Sequence, residues 1–135
     1  MADSSIVLSW LLSDEPSAEA DLLLESLGQG VVAEAPVLLR YEVPNALVSA
    51  CIRRNRITKE GLATGIADFE SLPIRIDAES GRISSESVSK IAVEHSLSVY
   101  DAAYLEVAQR RSLPLATRDQ AMKAAGKRMG IAILS

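Results

Sequence analysis

Asp3, Glu42, Asp101 and Asp119 lie far apart in a chain of 135 residues, yet each falls where an α/β arrangement would bring it to one edge of a sheet. Carboxylates gathered in one place repel each other and persist only with a cation or with shared protons. Hard divalent ions such as Mg2+ and Mn2+ take oxygen ligands. The set therefore predicts a metal site of the kind that works on phosphodiester bonds. Ser5 and Thr117 are expected to orient a carboxylate or a metal-bound water through their hydroxyls.

Helix capping competes with this reading for three of the four acids. Asp3 precedes the apolar run that begins at Ile6, so it or Ser4 fits an N-cap. The spacing Ser98-Val99-Tyr100-Asp101 fits a capping box, and Asp119 leaves a strand directly into a helix. Glu42 differs. With a helix expected from Pro36 it stands roughly two turns in, where neither a cap nor the helix dipole accounts for a carboxylate. It also adjoins apolar Val43, where an unpaired charge is costly. Glu42 is thus the most diagnostic of the four.

Short β-type runs at 31–33, 74–77, 113–117 and 131–134 alternate with helical patterns at 6–12, 17–27, 36–54, 59–71, 80–96, 99–111 and 120–129. Strands separated by helices imply crossover connections, a mostly parallel sheet covered on both faces, and sites beyond the carboxyl ends of the strands. Leu39, Val43, Leu47 and Ala50 recur on one side of the third helix, as in an element packed on a sheet. Pro44 is expected to kink that helix. The length predicts one domain over 1–135, without repeat, low-complexity tract or linker.

Hydrophobic residues make up 48%, charged residues 24% and aromatics 4%, which predicts a soluble globular protein with a core of Leu, Ile, Val and Ala. A net charge of -4 argues against holding nucleic acid by bulk electrostatics, so any such contact is local. Arg53, Arg54 and Arg56 end the third helix, where they complement its dipole. Arg110, Arg111, Arg118, Lys123, Lys127 and Arg128 are either phosphate contacts or a solvated surface. The lone Cys51 forms no internal disulfide, and a reducing cytoplasm is the expected setting. No signal-peptide pattern is present, and no apolar run approaches the ~20 residues of a membrane span. The one histidine, His95, lacks a Gly-x-Ser-x-Gly elbow to serve and suits a capping or surface role.

Four motifs in order resemble those of the PIN-domain ribonucleases, in particular the VapC-type toxins of toxin-antitoxin pairs. They are Asp3-Ser4-Ser5 with Leu8-Ser9-Trp10-Leu11-Leu12, Leu39-Arg40-Tyr41-Glu42-Val43 with Asn45-Ala46-Leu47, Val99-Tyr100-Asp101-Ala102-Ala103-Tyr104-Leu105, and Leu115-Ala116-Thr117-Arg118-Asp119. The resemblance implies a three-layer α/β/α fold with a mostly parallel five-stranded sheet. It also implies Mg2+ or Mn2+ dependence, RNA cleavage, a homodimer and a cognate antitoxin protein. The apolar face of Ala18, Leu22, Leu23 and Leu27 is expected to meet such a partner. One departure stands out: a full strand usually precedes the first aspartate of the family, and here only Met1 and Ala2 do. That predicts a shortened first strand and a loosely held Asp3. The rival expectation is a catalytically weak PIN module acting mainly through protein binding. A haloacid-dehalogenase-like phosphatase is disfavoured, because Ser5 stands where the second acid of its Asp-x-Asp motif belongs.

Overall fold

The structure, a computed structural model, describes residues 1–12, 14 and 16–134. Its helices begin where short polar side chains accept free amides. Asp3 caps α1 (Ser4–Leu11), Ser17 caps α2 (Ala18–Gly28) and Thr58 caps α4 (Lys59–Ser71). Ser84 caps α5 (Ser85–His95), Ser98 caps α6 (Val99–Arg110) and Asp119 caps α7 (Gln120–Arg128). The exception is α3 (Leu39–Ile52), which has no side-chain cap and runs through Pro44. Strand β1 (Ala33–Pro36) pairs in parallel with β2 (Ile74–Asp77), Ala33 opposite Ile74 and Pro36 opposite Asp77. Parallel strands need a long crossover, here made by α3 and α4. A 3-10 turn, Ala78–Gly81, follows β2.

The expected five strands are present only in part. Among the described residues the regular ladder has two strands, β1 and β2. Beyond it stand two isolated parallel bridges, Ala2 with Ala116 and Leu115 with Ile133. The run at 113–117 contains Pro114, which has no amide to donate to a ladder, and its pairing shrinks to those single bridges. The run expected at 31–33 shifts to Ala33–Pro36, leaving Val31 and Val32 exposed. The third helix starts three residues later than the periodicity suggests. Pro36 ends β1, and Val37 takes the Ser80 hydroxyl as acceptor for its amide.

Asp3 is not loosely held. The Ala2 amide donates to the Glu34 carbonyl at 3.0 Å and the Asp3 amide to the Ala116 carbonyl at 3.2 Å. Backbone on both sides fixes the segment, and Ala2 and Asp3 are buried.

Helices cover both faces of the ladder. Ile74 and Ile76 line a narrow cleft of about 100 Å³ with Leu39 of α3, Phe69 of α4 and Leu72. On the opposite side of the pleat Glu34 and Asp77 are buried and meet the C-terminal end of α6. Arg110 donates to Asp77 Oδ2 at 2.5 Å and to Glu106 Oε1 at 2.7 Å. Arg111 reaches Glu34 at 3.0 Å and Asp77 at 3.5 Å, and Arg75 pairs with Glu34 at 2.9 Å. Arg110 and Arg111 therefore fasten α6 to the sheet, and this fixes Asp101 at its other end. Their guanidiniums, 29% and 44% exposed, are engaged in ion pairs within the chain.

Asp77→Ala is expected to destabilise the fold by about 2 kcal/mol, because it removes charged hydrogen bonds from an almost fully buried carboxylate. A urea melt reads this directly. An unchanged midpoint would show that the network does not hold α6.

Candidate metal centre

The four acids arrive on four different helix N-termini. Asp3 and Asp119 are the N-caps of α1 and α7, accepting from the Ile6 amide at 3.2 Å and the Met122 amide at 2.8 Å. Glu42 and Asp101 stand in the first turns of α3 and α6. Because α3 begins at Leu39, Glu42 lies where the dipole favours a carboxylate, so its position is less diagnostic than the sequence suggests. At Asp101 the capping spacing holds in one direction, its amide donating to Ser98 Oγ at 3.0 Å.

Hydroxyls tie the acids together. Ser5 Oγ donates to Asp3 Oδ1 at 2.6 Å and accepts the Arg118 amide at 2.9 Å. Thr117, 1% exposed, donates to Asp3 Oδ2 and accepts the Asp119 amide at 3.0 Å. It thereby links the first acid to the fourth. A participant missed in the sequence is Tyr104, whose phenol donates to Glu42 Oε1 at 2.5 Å. Its place three residues after Asp101, on the same helix face, was the available signal. The Arg118 guanidinium is the nearest basic group in the chain to Asp119 and donates to Ser9 Oγ at 3.0 Å.

The acids feel one another's charge. Burial pushes the Glu42 carboxyl above its ordinary 4.5, and the charges of Asp101 and Asp3 add to this against the Tyr104 hydrogen bond. Burial raises Asp101, with Asp119 adding to it. Burial also raises Asp3, opposed by the Ser5 and Thr117 hydroxyls and the Ile6 amide. The Tyr104 phenol is driven up by burial and by Glu42. None of the four acids has a salt bridge to Lys or Arg among the described residues. An all-oxygen donor set left without a protein cation suits a hard divalent ion. The side chains do not yet enclose one: among the described residues no three His, Cys, Asp or Glu groups converge closely enough to hold a metal.

A pH dependence follows. Asp3, Glu42 and Asp101 keep their protons more tightly folded than unfolded, so stability falls as pH rises above their ordinary 3.8 to 4.5. Asp77, held low first by its Arg110 hydrogen bond, acts oppositely but below 3.8. Burial holds the Met1 amino group below its ordinary 8.0, which acts oppositely in the same window, so the acids are isolated by comparison. From about pH 5 to about pH 7 the melting temperature of the metal-free protein should fall further, or rise less, in wild type than in Asp101→Asn, and added Mn2+ should reduce the difference. An equal pH dependence in the two proteins would contradict the shift assigned to Asp101.

Other groups are accounted for elsewhere. His95 ends α5 and accepts from Arg128 Nε at 3.3 Å. Lys123 pairs with Glu19 at 3.4 Å and Arg56 with Asp14 at 2.5 Å. Trp10 Nε1 donates to the Ala20 carbonyl at 2.6 Å, whereas Tyr41 and Tyr100 are exposed. Cys51 is a half-buried free thiol.

Fold and site together define a mixed α/β domain that sets a carboxylate cluster where strand segments hand over to helices around a parallel sheet. The chain belongs to the PIN domain family, whose model matches residues 1–128. Its fold is similar to that in the crystal structure of PAE2754 from Pyrobaculum aerophilum. The TM-score is 0.68 at 24% identity, covering 98% of this chain and 81% of that one. No curated protein matches the chain. PIN domains are generally nucleases that use divalent metal ions.

Proposed function

We propose that this protein is a metal-dependent endoribonuclease, the toxin of a type II toxin-antitoxin pair of the VapC kind, working in the cytoplasm as a single domain over 1–135. The observation that carries the reading is the coupling of Asp3, Glu42, Asp101 and Asp119 with no salt bridge to Lys or Arg among the described residues. In this reading these four hold Mg2+ or Mn2+, and the two isolated bridges extend the ladder to the five strands of a three-layer α/β/α fold. When bound, the ion supplies a polarised phosphoryl oxygen and a more acidic water. Asp3 is oriented by Ser5 and Thr117, Asp119 by the hydroxyl of Thr117 at its amide, and Glu42 by Tyr104.

Partner binding rests on exposed apolar side chains. Leu22 is 60% exposed beside a pocket of about 140 Å³ shared with Leu23, Ala116 and Leu134, which suits a short apolar segment of an antitoxin. Tyr41, Val48 and Ile52 form an exposed stripe on α3, the kind of face a homodimer would cover. No described helix is long and apolar enough to cross a membrane.

The test is cleavage of a mixed RNA pool with Mn2+ or Mg2+ and with EDTA, beside calorimetry with Mn2+. Metal-dependent cleavage that EDTA abolishes is expected. The second reading, a catalytically weak PIN module acting through protein binding, is favoured by the open spacing of the acids, and it predicts neither Mn2+ heat nor cleavage.

A further inference from the structure

Two helices lead away from the acids together. Asp3 caps α1 and Glu42 lies in the first turn of α3, and the two helices pack against each other. Side chains three, four and seven places apart share one face of a helix. Ser5, Leu8 and Leu12 therefore continue from Asp3 along α1, and Asn45, Ala46 and Ser49 continue from Glu42 along α3. Beyond the acids these two faces border a cleft of about 280 Å³, with Arg54 and Arg56 in its wall past the end of α3. Among the described residues no carboxylate lines it.

The two arginines differ. Arg56 is committed to Asp14 at 2.5 Å, whereas Arg54 is exposed and makes no ion pair among the described residues. An unpaired guanidinium presents a fork of donors that matches phosphate oxygens. Asn45 and Ser49 add neutral hydrogen-bonding groups, and Leu8 and Leu12 give an apolar surface for the face of a base. A cation, neutral polar groups and an apolar floor in one narrow groove suit an unpaired strand, whose bases are open to contact. A chain of net charge -4 needs a local contact of this kind, because its overall field does not gather phosphates.

We propose that the groove between α1 and α3 holds single-stranded RNA on one side of the bond to be cut, with Arg54 taking a phosphate and Asn45 and Ser49 hydrogen-bonding the strand. From Glu42 to Ser49 is about 10 Å along the axis at roughly 1.5 Å per residue. That is the span of about three nucleotides at roughly 3.4 Å each. The inference rests on the proposed ribonuclease reading and adds to it the path of the substrate.

The test is fluorescence anisotropy of a labelled, mixed-sequence RNA strand of about 12 nucleotides, long enough to fill such a groove. It is recorded in EDTA over a range of salt, so that neither metal nor cleavage enters. Arg54→Ala should weaken binding by about tenfold, the size of one charged hydrogen bond, and lower the salt slope by about one. Ser49→Leu fills the groove without touching a charge, and should weaken binding with the slope unchanged. Lys127→Ala removes an equal charge from an exposed place in the last turn of α7 and should leave both readouts as in wild type. Unchanged affinity and slope in Arg54→Ala overturn the inference, and so does an equal loss in Lys127→Ala, which would make the effect one of overall charge. Full binding by a Ser49→Leu protein that melts like wild type would put the strand outside the groove. Wild type that binds RNA through Arg54 but never cleaves it with Mn2+ or Mg2+ would overturn the proposed function and leave the groove standing. Wild type that binds no RNA would overturn both.

Discussion

Asp101→Asn is expected to lower metal-dependent RNA cleavage by at least about 100-fold, since losing even an outer partner of a metal ligand typically costs 10- to 100-fold. The fold should survive, because the cap at α6 uses the Asp101 amide, which donates to Ser98 Oγ, and the Ser98 hydroxyl that also favours the carboxylate can meet the asparagine carbonyl instead. In the metal-free state the variant should be as stable as wild type or more so. Burial and the Asp119 charge already disfavour ionised Asp101, and a neutral amide escapes both penalties. The two readouts therefore move apart, cleavage collapsing while the melting temperature in EDTA holds or rises. Single-turnover cleavage at saturating Mn2+ and a thermal melt in EDTA measure them. Full cleavage by Asp101→Asn would remove the acid cluster from the chemistry, and a collapsed melt would reduce Asp101 to a structural residue.

What the sequence made legible follows from where its signals are local. The helix at Lys59–Ser71 and the strand at Ile74–Asp77 match the expected bounds, because Thr58 caps the one and Leu72-Pro73 separates it from the other. Capping rules place Asp3, Asp101 and Asp119 at helix starts, and they stand there. The place of Glu42 within its helix is not legible because nothing in 36–54 marks the start of α3: Leu38 caps nothing, and apolar periodicity continues upstream of the true first turn. The strands failed for a related reason. Val31 and Val32 carry the β-branched signal, yet the ladder uses Ala33–Pro36, whose burial is set by α6 and β2 rather than by its own side chains. Charge reading also missed pairing at a distance. Arg110 and Arg111 look like a surface pair in the chain, and only the fold shows Asp77 and Glu34 waiting for them. Tyr104 reads in the sequence as a core aromatic of an amphipathic helix, which it is, and only its spacing from Asp101 hints at the bond its hydroxyl makes to Glu42.

Thr117→Val should be the most destabilising conservative change in the site, costing about 2 to 3 kcal/mol. The side chains have the same shape, so packing is retained and the loss isolates the hydroxyl. That hydroxyl serves two groups, the Asp3 carboxylate and the Asp119 amide, in a place 1% exposed where no water replaces it readily. Asp3 is left with Ser5 Oγ and the Ile6 amide as donors, and the Asp119 amide is left without its partner at the start of α7. Protonating Asp3 offsets part of the loss, so the destabilisation should shrink as pH falls, opposite to the trend of a variant that merely empties space. Thr117→Ser keeps the hydroxyl and should lose only about 1 kcal/mol with the missing methyl. Urea melts of the two variants at neutral and acidic pH separate these terms. A loss confined to Thr117→Ser would show that Thr117 matters for its methyl alone. A loss confined to Thr117→Val, and relieved by acid, would identify one buried hydroxyl as the joint that keeps the first and fourth acids in register before any metal arrives.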